Sequence, residues 1–146
     1  MNELSQTIQD KINSLAELGD QYAEEGEFAE ALDQYWTAWD LLPDPKTEWD
    51  AGLWLLVAIG DANFSVRDFA AGKDNLTTAM NCPEAPGNPF IHLRLGQCQF
   101  ELGNKDEAAD ELTRAYMGVG SEIFEGEDDK YFEFLKTVLK PPADGW

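Results

Sequence analysis

The sequence predicts an all-α fold in which helical hairpins stack side by side as an α-solenoid. Three observations lead there. Apolar residues recur at three- and four-residue spacing through nearly the whole chain, as in Leu15, Leu18 and Tyr22, and again in Ala31, Leu32, Tyr35 and Trp39. That spacing marks amphipathic helices. No strand-like alternation persists, and no Asn-Gly or Asp-Gly dipeptide joins two apolar runs. Small and aromatic residues also return together around Gly19, Gly60 and Gly96, the sign of an internal repeat. At 146 residues one domain spanning 1–146 is expected.

Breakers divide the chain. They are Gly26, the Pro43-Asp44-Pro45 run, the stretch 82–89, Gly103-Asn104 and the stretch 118–121. Between them the spacing predicts helices at about 4–25, 28–41, 46–65, 68–80, 89–102, 105–118 and 128–140. The first carries the Leu15, Leu18, Tyr22 stripe and the second carries Ala31, Tyr35 and Ala38. The third holds the most apolar stretch, 53–59, far short of the roughly 20 residues that a membrane span needs. Tyr131, Phe132, Leu135 and Leu139 give the last helix one apolar side. The tail from Pro141 to Trp146 is expected to be irregular.

Three runs repeat. The first reads Leu18-Gly19, Tyr22, Gly26, Phe28, Ala31, Tyr35, Ala38, Pro43. The second reads Ile59-Gly60, Phe64, Phe69, Leu76, Ala79, and the third Leu95-Gly96, Phe100, Gly103, Ala108, Leu112, Ala115. These runs resemble the tetratricopeptide repeat family. The first matches its pattern almost throughout, with Leu15 in place of the leading tryptophan. The second departs from it: Arg67 stands where the turn glycine belongs and Gly72 where the small alanine belongs. The third has Lys105 for the turn aromatic and lacks the closing proline. The resemblance implies three helix-turn-helix repeats, at about 12–45, 53–86 and 89–120, and a C-terminal capping helix at about 128–140. Packing physics agrees. Gly19, Gly60 and Gly96 put small residues where paired helices approach closely, and larger neighbours such as Tyr22, Phe28 and Tyr35 fill the space beside them.

Charge narrows the function. Ten Lys and Arg against 29 Asp and Glu give a net charge of −19. Nucleic acid needs a basic footprint, so it is excluded as a ligand. Anionic membranes are disfavoured for the same reason. A protein partner, basic in charge, is left, and self-repulsion predicts a monomer. The N-terminus has no basic start or apolar run, so a signal peptide is not expected and the location is read as cytoplasmic.

Nothing in the chain reads as catalytic, and no cofactor or metal is expected. His92 is the sole histidine, at a position that packs or faces solvent, with no nucleophile indicated beside it. Cys98 reads as an inert core thiol, and Cys82 as a thiol exposed in a connector. Two acidic clusters stand out: Glu24, Glu25, Glu27 and Glu30, then Glu122, Glu125, Glu127, Asp128 and Asp129. Each is read either as a solvated face or as recognition of a basic patch. Trp36, Trp39, Trp49 and Trp54 lie off the repeat signature. They either fill the space left by the longer first connector or anchor a partner.

The resemblance implies binding in a groove lined by the first helix of each pair. The groove positions are Asp20 and Glu24 in the first repeat, Trp54, Val57, Asp61 and Phe64 in the second, and Gln97 and Glu101 in the third. One subclass of the family grips a peptide's terminal carboxylate with Lys and Asn. Ala16 and Asp20 hold those first-repeat positions here, so that subclass is excluded. The groove suits a basic or basic-amphipathic segment. The stretches GNPFIHLRLGQ and AADELTRAYMGVGSEIFEGEDDKYFEFL also resemble small bacterial tetratricopeptide proteins encoded beside secreted toxins. That second resemblance implies an immunity protein that neutralises a basic toxin domain. A general scaffold, or a secretion chaperone for amphipathic helices, is the alternative.

Overall fold

The computed structural model describes residues 3–146, and seven α-helices account for most of them. They are α1 (Gln6–Glu24), α2 (Phe28–Asp40), α3 (Asp50–Ser65), α4 (Phe69–Ala79), α5 (Pro89–Glu101), α6 (Lys105–Val119) and α7 (Asp129–Val138). No strand occurs among the described residues. All seven predicted helices are present, most within two residues of the expected ends. Side-chain caps explain several starts. Ser5 accepts from the Ile8 amide, Asp68 from Ala71, Asn88 from Phe90, and Asp128 from Lys130.

The helices form the hairpins α1–α2, α3–α4 and α5–α6, and each hairpin packs against the next. The hairpin turns share one geometry. Gly26, Arg67 and Gly103 adopt φ of 78°, 66° and 85°. The amides just beyond them close the helix ends on carbonyls five residues back: Glu27 on Tyr22, Asp68 on Asn63, and Asn104 on Gln99, at 2.8–2.9 Å. This is the left-handed helix cap that favours glycine. Arg67 adopts it without glycine, at a cost of about 1–2 kcal/mol, and lays its guanidinium 5.2 Å over the Phe69 ring.

Within each hairpin the same contact recurs. A Cβ on Gly19 would lie 2.6 Å from the Tyr35 ring. One on Gly60 would lie 2.5 Å from Leu76, and one on Gly96 would lie 2.8 Å from Leu112. Gly72, at odds with the repeat pattern, has its own reason: a Cβ there would meet the Cys98 sulfur at 2.9 Å. The alanine of the pattern would not fit without movement at this crossing.

Three apolar clusters run along the stack. Ile12, Ala31, Tyr35, Leu55 and Ile59 anchor the first; Leu56, Leu76, Ile91, Leu95 and Cys98 the second; Leu93, Leu112, Tyr131 and Leu135 the third. Trp39 packs against the first two and Phe64 against the last two, so the clusters are continuous.

Three details differ from the sequence reading. The expected helix 46–65 is broken: Lys46–Glu48 form a 3-10 turn and Trp49 is extended. Trp49 donates its indole N–H to the Pro43 carbonyl at 2.8 Å, and Lys46 binds the Leu42 carbonyl. The connector therefore folds back on the end of α2 before α3 begins. Cys82 is buried, not exposed, in the second cluster. Two further 3-10 turns, Ala85–Gly87 and Ser121–Phe124, precede α5 and α7. The tail has no regular structure, but Trp146 packs edge-on against Tyr116 and Phe132.

The repeated helix crossing makes a prediction. Gly60→Ala should cost about 1–3 kcal/mol in denaturant unfolding, the scale of an overpacked core. Gly87→Ala should be near neutral, because nothing lies within 4 Å of a Cβ there.

Candidate functional site

The expected groove lies along the first helix of each hairpin. Repeat register relates its positions: the residue after each repeat glycine is Asp20, Asp61 or Gln97. The expected groove residues fall into two groups, and the division runs along Arg94 on α5.

Arg94 ties the second half of the groove together. Its Nε donates to Asp61 at 2.6 Å, and its Nη1 donates to Glu127 at 2.6 Å and to Gln97 at 2.7 Å. The guanidinium lies between two rings, 4.7 Å from the Phe64 centroid and 5.0 Å from that of Phe90. Planar stacking and forked donation suit arginine to such a place. Its side chain is 13% exposed. Burial alone would lower its pKa, but the carboxylates of Asp61 and Glu127 outweigh burial and raise it, so the charge is held.

The segment before and within α7 covers this half. Gln97, expected to line the groove, is wholly buried and donates to Glu127 at 2.8 Å. It holds the network together and offers no surface to a partner. Glu101 is likewise engaged, accepting from Lys130 at 2.6 Å and from the Tyr131 hydroxyl at 2.7 Å. Burial alone would raise the Glu101 carboxyl, but these donors outweigh it and hold it below the usual range. Phe64 is half-buried, with the Phe69 and Tyr131 rings against it.

The first half stays open. Asp20 and Glu24 are exposed on α1, and neither pairs with a cation among the described residues. Tyr35 donates its hydroxyl to Asp20 at 2.6 Å. Burial first, then this bond and the nearby Asp20, Asp61 and Glu24 charges, raises the Tyr35 hydroxyl well above its ordinary value. A cleft between α1 and α3 is lined by Asp20, Glu24, Tyr35, Asp61, Ala58 and Ala62. Further along α3, Val57 is half-buried and Trp54 is 39% exposed. Of the four tryptophans left open by sequence, Trp36, Trp39 and Trp49 pack against the first cluster. Trp54 alone among them is exposed.

The remaining candidates are structural. His92 is buried, with Nδ1 2.5 Å from Glu111 and Nε2 2.7 Å from the Pro86 carbonyl. Both ring nitrogens are engaged, one with α6 and one with the connector before α5. Burial pushes the Cys98 thiol up to about 12 and raises that of Cys82, so neither is a ready nucleophile. Among the described residues, no three His, Cys, Asp or Glu side chains are placed to hold a metal ion. No helix among them is long and apolar enough to cross a membrane.

No protein-family model matches the sequence, and no curated protein matches it. Solved structures do match. The Yersinia enterocolitica type III secretion chaperone SycD, in complex with a peptide of the translocator YopD, aligns with a TM-score of 0.71 at 14% identity, over 94% of this chain and 96% of that one. The first TPR of Spaghetti (RPAP3) bound to the HSP90 peptide SRMEEVD aligns at 0.66 and 22% identity, over 88% and 90%. The Sgt2 TPR domain of Aspergillus fumigatus aligns at 0.65 and 18%, over 92% and 87%. The fold is a tetratricopeptide-type α-solenoid. Its three repeats are the three hairpins, and α7 closes the C-terminal end.

Sequence reasoning missed Arg94 and the covering of Gln97. The signal for Arg94 was present: it lies two residues before Gly96, as Ala58 lies two before Gly60. The covering had no local signal, because it depends on where the segment carrying Glu127 folds.

Acid tests the tie between α5 and α7. The folded Glu101 value lies below its unfolded one, so its contribution to stability is present at neutral pH and is lost as pH falls through the folded value. Glu101→Gln should therefore be less stable than wild type at pH 7. That gap should close as pH drops below the ordinary glutamate range of about 4.3, in paired denaturant titrations. A pH-independent gap would refute the assignment.

Proposed function

We propose that the chain is a non-enzymatic interaction module that takes a basic segment of a protein partner in the first half of its groove. One observation carries this reading: Asp20 and Glu24 stand without a cation beside Tyr35 and Asp61, with exposed Trp54 and half-buried Val57 further along α3. Carboxylates supply attraction and orientation, and the indole supplies apolar contact. A net charge of −19 adds long-range attraction for a cationic partner and opposes self-association, so the module acts as a monomer, and its place in this reading is the cytoplasm. The same field repels acidic peptides such as the SRMEEVD segment held by the RPAP3 domain. Asp20, Glu24, Trp54, Val57 and Asp61 contact the partner. Phe64 and Glu101 shape the groove from beside it.

An immunity protein that captures a basic toxin domain fits this reading, since complementary charge speeds association. The likeness to a secretion chaperone bound to a translocator peptide supports a second reading, in which the groove shields an amphipathic segment of an exported protein.

Retention on the immobilised protein tests the proposal. A basic partner should be held, and the Asp20→Lys, Glu24→Lys double variant should lose it. One partner in equal amount favours immunity; several weaker partners favour a chaperone. Equal retention by the double variant would refute the groove as the binding face.

A further inference from the structure

We infer that the cleft between α1 and α3 receives an arginine side chain of the partner, in the way the next step of the stack receives Arg94. This rests on the reading of the groove as a site for a basic segment. The argument comes from the repeat itself. In the second step, Asp61 stands one residue after its repeat glycine and accepts from Arg94, which stands two before Gly96. Phe90, six before Gly96, gives the guanidinium one of its two ring faces. Gln97, one after Gly96, accepts from Nη1.

Moving back one repeat keeps part of the frame and changes the cation; Ala23 stands where Phe64 gives Arg94 its other ring face. Asp20 stands where Asp61 stands, one after Gly19. Trp54 stands where Phe90 stands, six before Gly60. Asp61 takes the place of Gln97. The position of Arg94, however, is held by Ala58, which lines the cleft with Asp20 and Asp61. The chain therefore builds an acceptor and an aromatic residue in the same register but supplies no cation at that position, while one Asp61 oxygen is already taken by Arg94. The first step also has an acid the second lacks, Glu24 where the second has Ser65. Two structural facts agree. The Tyr35 hydroxyl already donates to one Asp20 oxygen, which leaves the other free to accept. Trp54 is 39% exposed, while Phe90 is half-buried. Guanidinium suits this place better than ammonium, since it can stack on the indole while donating to two carboxylates.

The test uses N-acetyl-arginine N-methylamide as the probe, followed by backbone and indole resonances of the full chain. The expected result is saturable shifts confined to Asp20, Glu24, Ala58, Asp61 and the Trp54 indole. The neutral citrulline analogue should produce none. Ala58→Arg should abolish the shifts, because the new side chain reaches Asp20 as Arg94 reaches Asp61. Should that variant lose its fold, Asp20→Asn serves instead, with affinity reduced at least about tenfold. Shifts scattered over the acidic surface, or equal shifts with citrulline or with folded Ala58→Arg, would overturn the inference. If the probe fails while a basic partner is still retained and is lost in the Asp20→Lys, Glu24→Lys variant, the arginine inference falls and the wider proposal stands.

Discussion

The close approach of paired helices at Gly19, Gly60 and Gly96 sets the register for everything else. A large side chain from the second helix sits where a Cβ would be: Tyr35, Leu76 and Leu112. Each glycine thereby fixes the rotation of its own helix. Side chains one residue after it and two before it then share one face of that helix. Arg94 can meet Asp61 because both are placed by this contact, each in its own hairpin. The shared left-handed turn at Gly26, Arg67 and Gly103 keeps the hairpins superposable even where glycine is missing.

From this common frame the groove acquires two unlike halves. Arg94 and Lys130 bring the second half near neutrality by pairing with Asp61, Glu127 and Glu101. The cost of burying these charges is met by hydrogen bonds on nearly every side, and among the described residues no buried side-chain polar atom lacks a partner. The first half keeps Asp20 and Glu24 without cations. Acidity alone would not single out a binding face in a chain with 29 acids. The contrast between a half that balances its own charge and a half that does not is what the proposed binding face rests on.

Much of the fold was legible because helical spacing and repeat glycines are local signals. Seven helices and three hairpins follow from residues such as Leu15, Tyr35 and Leu95 without any tertiary information. The break before α3 was not legible, since it depends on the Trp49 indole finding the Pro43 carbonyl. Nor was the burial of Cys82 and Gln97, which other segments cover. The acidic groove positions were readable from the register, but the partition between paired and unpaired acids was not. It turns on Arg94, whose carboxylate partners lie 33 residues away on either side.

The state of the Arg94 side chain is the most direct test of this division of the groove. Its Nε–H should appear as a sharp, slowly exchanging resonance at neutral pH, with cross-relaxation to the rings of Phe64 and Phe90. A rapidly exchanging signal with no ring contacts would place the guanidinium in solvent. The two halves would then be alike, and the account of one half satisfied from within and one left for a partner would be contradicted.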